Sequence, residues 1–323
     1  MDIIFSIFLI YLLFLLSVGY FLPFITNQKL AIRIAWAITL VTVLFSIEIS
    51  AGMEAPVRML MIVVLQLVAM KIVVVAQTYA FRNGLTCIQW AAFCGWFGMR
   101  PEPFEKLSGP SLPFVGIIWK GFYQIVIGLI LLYFSMILEQ SSEFQKFFIP
   151  QLSLLAGFSL ILHFGLLNLC TAAWRIMGVK VFELFQSPQK SRSLKEFWGK
   201  RWNIAFSEMT AIILYRPLKK NIGMDKALMV SFLLSGLLHE MAISFPVRSG
   251  FGLPMFYFSI HAFAMYLEAN AGLIQRMLKR KWFPYLWVNS LLLLPLPLLF
   301  HHEFVQQVLK PLRTIVLDSI AMI

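Results

Sequence analysis

The sequence predicts an all-α polytopic membrane protein of about eight transmembrane helices, with short re-entrant or interfacial helices between them. Three observations predict it. The 323 residues are 60% hydrophobic and 13% charged, with a mean hydropathy of +0.81, whereas soluble domains carry about 45–50% apolar and about 25% charged residues. The apolar residues fall in successive runs of the length, about 20 residues, that a helix needs to cross about 30 Å of hydrocarbon. The basic residues collect on alternate loops, as they do when lysine and arginine hold a loop in the cytoplasm.

In chain order the segments are 3–25, 31–49, 57–80, 114–138, 150–174, 226–246, 251–273 and 283–302. The first follows Met1-Asp2 with no basic stretch and no small-residue cleavage site, so it reads as a retained span rather than a signal peptide. Segments 88–98 and 204–215 are too short to span and fit re-entrant or interfacial helices. The tail 303–323 is amphipathic enough to lie on the membrane surface. No long polar interval and no repeat divides the chain, so 1–323 reads as a single membrane-embedded domain. Cys87, Cys94 and Cys170 form no CxxC pair and read as small buried apolar residues, which excludes a disulfide framework or zinc ribbon.

The net charge of +12 is assigned to topology rather than to nucleic acid. With the N-terminus outside, 20 of the 27 lysines and arginines fall on inner loops, 5 on outer loops and the tail, and Lys71 and Lys120 within spans. The loop 175–225 is then cytoplasmic. From Arg175 to Lys226 it carries eleven basic and four acidic residues, which suits anionic headgroups or a phosphorylated substrate. The expected location is a multi-pass place in the endoplasmic reticulum if the host is eukaryotic, or in the inner membrane if it is bacterial.

Ionisable residues inside spans are costly and are functional candidates: Glu48, Lys71, His163, His239, Glu240, His261 and Glu268. His239 closes the stretch SFLLSGLLHE, with Ser235 four residues before it and Ser231 eight before, so the three share a helix face. Gly236 leaves room beside the imidazole for a neighbouring backbone or a substrate chain. Glu240 points about 100° away around the helix and is no obvious partner. His239 lies 13 residues past Lys226, roughly 20 Å along a helix and therefore near or beyond the bilayer midplane. A neutral imidazole there can act as a base, or simply bond a neighbouring helix. His163 and His261 are further candidate lining residues, Glu268 sits seven residues after His261 on about the same face, and His301-His302 at a span end read as solvated or interfacial.

The second candidate feature is SRSLKEFWGKRWN, residues 191–203, where Phe197, Trp198 and Trp202 are interleaved with Lys195, Lys200 and Arg201. Aromatic and basic residues gather at membrane interfaces anyway. Asn203, entering an apolar layer, needs hydrogen-bond partners. This run, followed 36 residues later by a histidine in an apolar helix, resembles the membrane-bound O-acyltransferase family, and FWGKRWN with the compact size looks like its wax synthase branch. FGMRPEPF at 97–104 is a second, weaker match. The resemblance is specific over about 170–265 and loose elsewhere.

The resemblance implies helices forming a chamber open to the cytoplasm for coenzyme A and sideways to lipid for a hydrophobic acceptor. It implies an acyl-CoA-dependent transfer of a fatty acyl group to a hydroxyl, with no cofactor beyond that co-substrate and no metal. A long-chain fatty alcohol giving a wax ester is the first choice of acceptor; a sterol, a diacylglycerol or a hydroxylated secondary metabolite are the alternatives. The family's histidine and asparagine fall on His239 and Asn203, as base and as orienting group or oxyanion donor. On this reading Lys195, Lys200 and Arg201 meet the coenzyme A phosphates, Trp198 and Trp202 line the acyl or pantetheine path, and Ser235, His261 and His163 line the site. The segment 194–215 must then fold inward to bring Asn203 to His239. The rivals are a transporter, which would often show paired halves and broken helices, a symmetry not found in the sequence, and a haem or metal oxidoreductase, for which no CxxCH and no clustered HxxxH or HxxHH run is present.

Overall fold

Hydrocarbon leaves the backbone no water to bond, so a spanning chain of this composition satisfies its amides within helices. The computed structural model describes residues 2–79, 84–140 and 148–322, and it is helical throughout, with no strand among the described residues. The long elements are α1 (Asp2–Phe21), α2 (Gln28–Ile49), α3 (Ala55–Thr78), α4 (Val115–Gln140), α5 (Ile149–Ile176), α6 (Met224–Val247), α7 (Leu253–Asn270), α8 (Phe283–Leu299) and α9 (His302–Ala321). All eight apolar segments read from the sequence are helical. Among the described residues six helices, α1 to α6, are long and apolar enough to cross a membrane, and the number reaches seven if α8 and α9 count as one broken span. The difference from eight has two causes. His261, Glu268 and Asn270 dilute the hydropathy of α7, and α8 is interrupted at Leu294-Pro295, where proline removes a backbone donor. Arg82 and Lys146, which entered the charge pattern, lie outside the described residues.

The chain forms two compact units, one of 1–105 with 187–301 and one of 106–186 with 302–323. In the first, α2 presents a buried row of small residues, Ala31, Ala35, Thr39, Thr42 and Ser46, to α3. Small side chains at this spacing let helices approach closely where lipid gives no hydrophobic push. α3 is the inner helix, with Leu65, Ala69, Ile72, Val73 and Val74 buried. Its Lys71 is fully buried and donates to the carbonyls of Phe93 and Gly98 at 3.0 and 2.8 Å. It thereby fastens the short helix Cys87–Cys94, which begins in a Thr86/Gln89 capping box, to α3. α6 and α7 pack face to face in this unit, and a Cβ added at Gly236 would stand 2.7 Å from the Met255 sulfur and 3.0 Å from the Met255 Cα. The space beside Gly236 is thus filled by the neighbouring helix.

In the second unit α4 and α5 meet at glycines, the Gly157 carbonyl lying 2.8 Å from where a Gly128 Cβ would be. The tail is not a free surface helix. Arg313 of α9 is buried and donates to Glu139 at 3.0 Å and to Ser135 at 3.1 Å on α4. A charged pair bonded this way is retained where water is scarce.

Candidate active site

The site is built in the first unit from α6, α7 and the segment 193–210. On α6 the serines below His239 are bonded to their own helix: Ser231 Oγ donates to the Ala227 carbonyl and Ser235 Oγ to the Ser231 carbonyl. The Ser235 carbonyl accepts from His239 Nδ1 at 2.7 Å. A carbonyl only accepts, so the neutral ring carries its proton on Nδ1 and presents a bare Nε2. That nitrogen bonds to no described residue, and His239 is only partly enclosed. Directly after it the helix widens into a π-turn, 240–244, a distortion often found at functional sites. Glu240 faces away, as the 100° offset predicts, and its Oε1 accepts from the Gly252 and Met255 amides at 2.8 and 3.1 Å, capping the start of α7.

The segment 193–210 begins with Ser193, whose side chain caps Leu194–Glu196. It widens into a π-turn at Phe197–Arg201 and then turns sharply at Asn203. Asn203 sits in the left-handed region, φ 43° and ψ 61°, and its Oδ1 accepts from the Phe206 amide at 3.2 Å as the N-cap of Ile204–Thr210. Asparagine is among the few side chains that tolerate this conformation and cap at once. The Asn203 Nδ2 donates to no described residue.

Phe206, one helical turn after Asn203, lies against His239, ring centres 5.7 Å apart. The segment has therefore folded inward, with Ile204, Ala205 and Met209 buried. Phe258 of α7 also packs on the imidazole, ring centres 4.3 Å apart, and Trp198 packs on both Phe258 and Phe232. The Trp198 indole donates to His261 Nδ1 at 3.1 Å, and Ser207 Oγ donates to the Trp198 carbonyl. Trp202 stacks on Phe197 at 5.5 Å.

Two carboxylates hold this arrangement from outside. Glu268 of α7 accepts from the Leu194 amide at 2.7 Å, the Lys195 amide at 3.2 Å and the Trp287 indole at 2.9 Å. Glu208, in the helix that Asn203 caps, faces Arg100 at 3.6 Å, which ties FGMRPEPF to the site segment. Burial pushes the Glu208 carboxyl up to about 7 against the pull of Arg100.

The basic residues divide. Arg201 is engaged by Glu196, through Nε at 2.8 Å and Nη2 at 2.7 Å, and the Arg192 amide and Arg201 hold the Glu196 carboxyl below its usual range. Lys195 and Lys200 are exposed. His163 lies in the second unit, in a π-turn at Leu160–Leu166, with Ser159 Oγ 3.3 Å from its Nδ1 and Phe185 stacked at 4.7 Å. His301 is buried against Gly250, whose positive φ and missing Cβ make room for the ring, in contrast to the interfacial place expected for it. Among the described residues no cluster of histidine, cysteine and carboxylates suits a metal ion.

The His239 imidazole, partly enclosed, lies in an apolar surround of Phe206 and Phe258, and Asn203 heads the helix that carries Phe206. Residues 181–260, which contain both, match the Membrane bound O-acyl transferase family, the family whose motif the sequence resembles. Among individual proteins, the chain is 28% identical over 81 residues to a long-chain-alcohol O-fatty-acyltransferase of Simmondsia chinensis, covering 23% of each chain. It is 29% identical over 111 residues to a probable long-chain-alcohol O-fatty-acyltransferase of Arabidopsis thaliana, 31% of this chain and 32% of that one. An acyl-CoA–sterol O-acyltransferase of the same plant is 25% identical over 147 residues, 42% of this chain and 41% of that one. The matched stretches span from about a quarter to under half of these curated relatives.

Proposed function

We propose that this chain, read as one membrane-embedded domain, is an acyl-CoA-dependent O-acyltransferase that esterifies a long-chain fatty alcohol to a wax ester. The observation that carries the reading is the bare Nε2 of His239, whose ring lies against Phe206, the residue whose amide Asn203 Oδ1 caps. The acceptor hydroxyl gives its proton to His239 Nε2 as its oxygen attacks the thioester carbonyl. Asn203 Nδ2 donates to the carbonyl oxygen as charge grows there. The tetrahedral centre then expels the thiolate, which takes the proton back from His239. Direct transfer is favoured over an acyl-enzyme because the one hydroxyl near His239 in its helix, Ser235, donates to a backbone carbonyl instead of to the imidazole. Lys195 and Lys200 are the better placed of the three basic residues for coenzyme A phosphates, since Arg201 is committed to Glu196.

The loop 175–225 faces the cytoplasm on this reading, the N-terminus does not, and the acceptor enters from the lipid. A sterol acceptor is the second reading, favoured by the longer match to a sterol O-acyltransferase. The test is an acceptor panel: purified protein with labelled palmitoyl-CoA and, in parallel, hexadecanol, a sterol and a diacylglycerol. Wax ester formed by the wild type and lost in His239→Ala supports the proposal. A variant as active as wild type removes the base, and no ester from any acceptor removes the activity.

A further inference from the structure

His261 is 0% exposed, enclosed by Trp198 and by Tyr257, whose ring centre is 4.5 Å away. Indole nitrogen has a proton and no lone pair to offer, so in the 3.1 Å bond Trp198 donates and His261 Nδ1 accepts. This one bond decides where the imidazole proton sits. Nδ1 carries none, so the neutral ring carries its proton on Nε2 and cannot serve as a base there. Nε2 is buried and has no hydrogen-bond partner among the described residues. A folded protein seldom leaves a buried N–H without an acceptor, and such a group calls for one.

Resting on the acyl-transfer reading above, we propose that His261 is a catalytic donor whose Nε2–H receives the thioester carbonyl oxygen of the acyl donor. Trp198 lies on Phe258, and Phe258 lies on His239, so the two imidazoles flank one aromatic cluster in complementary states. His239 offers a lone pair and His261 a proton. The acceptor oxygen forms the new C–O bond as its proton passes to His239. The carbonyl electron pair moves onto oxygen and is held by the His261 N–H, which stays on nitrogen throughout. When the pair returns, the C–S bond breaks and the thiolate takes the proton from His239. A fixed neutral donor of this kind needs no reorganisation as charge develops. Trp198 is a positioning residue that keeps the donor pointing its proton the right way.

The full-length protein, assayed with palmitoyl-CoA and hexadecanol, tests this. His261→Ala is expected to lower kcat about 10²–10³-fold with the acyl-CoA KM within about threefold, the signature of a lost oxyanion donor. His261→Gln, which returns an N–H near the same place, recovers at least about tenfold of that loss. Trp198→Phe lowers kcat, and the double variant Trp198→Phe/His261→Ala falls no further than His261→Ala, because the indole acts only through the imidazole. Equal rates for the Ala and Gln variants, an unchanged kcat in His261→Ala, or additive losses in the double variant overturn the proposal. Thermal unfolding of each variant separates misfolding from lost chemistry, and if His261→Ala does not fold, the Gln and Trp198→Phe variants decide. His239→Ala runs in parallel: its loss with His261→Ala active rejects only the donor, its survival rejects His239 as the base, and no ester from the wild type rejects the acyl-transfer reading itself.

Discussion

His239 Nδ1 lies 2.7 Å from the carbonyl oxygen of Ser235, one turn earlier in the same helix. The bond holds the ring against its own helix and leaves Nε2 as the only basic atom. His239→Ala is therefore expected to lower kcat by about 10²–10⁴, the usual worth of a positioned base. His239→Gln, which supplies an amide where the lone pair stood, is expected to be as inactive. A steady-state assay of both at fixed acyl-CoA checks this, and a Gln variant near the wild-type rate would show that the ring acts as a donor instead.

Asn203 has two separable tasks. Its Oδ1 caps the helix Ile204–Thr210 and its backbone occupies the left-handed region, while its Nδ2 is unspent. Glycine adopts that backbone freely and costs only a few tenths of a kcal/mol as a cap. Asn203→Gly is expected to fold with near wild-type stability and to lose about 10–10³ in kcat. Asn203→Ala adds about 1 kcal/mol for the cap and about 1–2 kcal/mol for the left-handed backbone. Melting temperatures measured alongside kcat distinguish the two; retained activity in the Gly variant would reduce Asn203 to a structural turn.

Gly236 sets the distance between the helices that carry His239 and His261. A methyl there meets the Met255 sulfur, which can swing away, and the Met255 Cα, which cannot. Gly236→Ala is expected to cost about 1–3 kcal/mol and to lower activity by displacing Phe258 from the imidazole. Thermal unfolding in detergent reads the first effect. Adding Met255→Ala is expected to restore only part of the loss, because the backbone clash remains.

Much of this was legible in the residues. The eight apolar segments are helical, Glu240 does turn away from His239, and the segment after Trp202 does fold inward, with Phe206 against His239. These readings rest on local periodicity, which one strand of sequence carries. What the residues hid are pairings over long separations. Nothing near Trp198 announces His261, 63 positions away, and nothing near Leu194 announces Glu268, 74 away. Arg313 reads as the charged face of a surface helix until Glu139, 174 positions earlier, is beside it. Arg201 reads as a phosphate ligand until Glu196, five residues before it, has taken its guanidinium.

Glu208 makes stability depend on pH. Burial holds its carboxyl at about 7 in the folded protein, above the ordinary 4.5. A raised acid favours the folded state when protonated, so its contribution is full below about pH 4.5 and is lost as pH rises to about 7. Arg100 at 3.6 Å moderates the loss without cancelling it. Wild type is expected to melt at a lower temperature at pH 8 than at pH 5, by an amount worth on the order of 1–3 kcal/mol. Glu208→Gln, which never ionises, is expected to flatten that part of the profile. Parallel slopes for the two proteins between pH 5 and 8 would mean that Glu208 titrates as an ordinary exposed acid.

Glu268 is the post on which the site segment hangs. Three donors, two of them the amides that open the segment, converge on one carboxylate that belongs to the same helix as His261. Removing the carboxylate leaves these donors without an acceptor, at about 1–3 kcal/mol for each one that stays buried. The segment is expected to answer by loosening, since no other described residue bonds the Leu194 and Lys195 amides. Loosening moves Trp198 and Asn203 together, so Glu268→Ala is expected to lower kcat and raise the acyl-CoA KM in one step, unlike variants at His239 or His261. Glu268→Gln keeps one acceptor oxygen but turns an amide N–H toward a donor, and it is expected to fall between Ala and wild type. Hydrogen exchange at Leu194 and Lys195 gives the direct reading: both amides should exchange faster in either variant. Unchanged protection there, with activity lost, would place Glu268 in the chemistry and not in the scaffold.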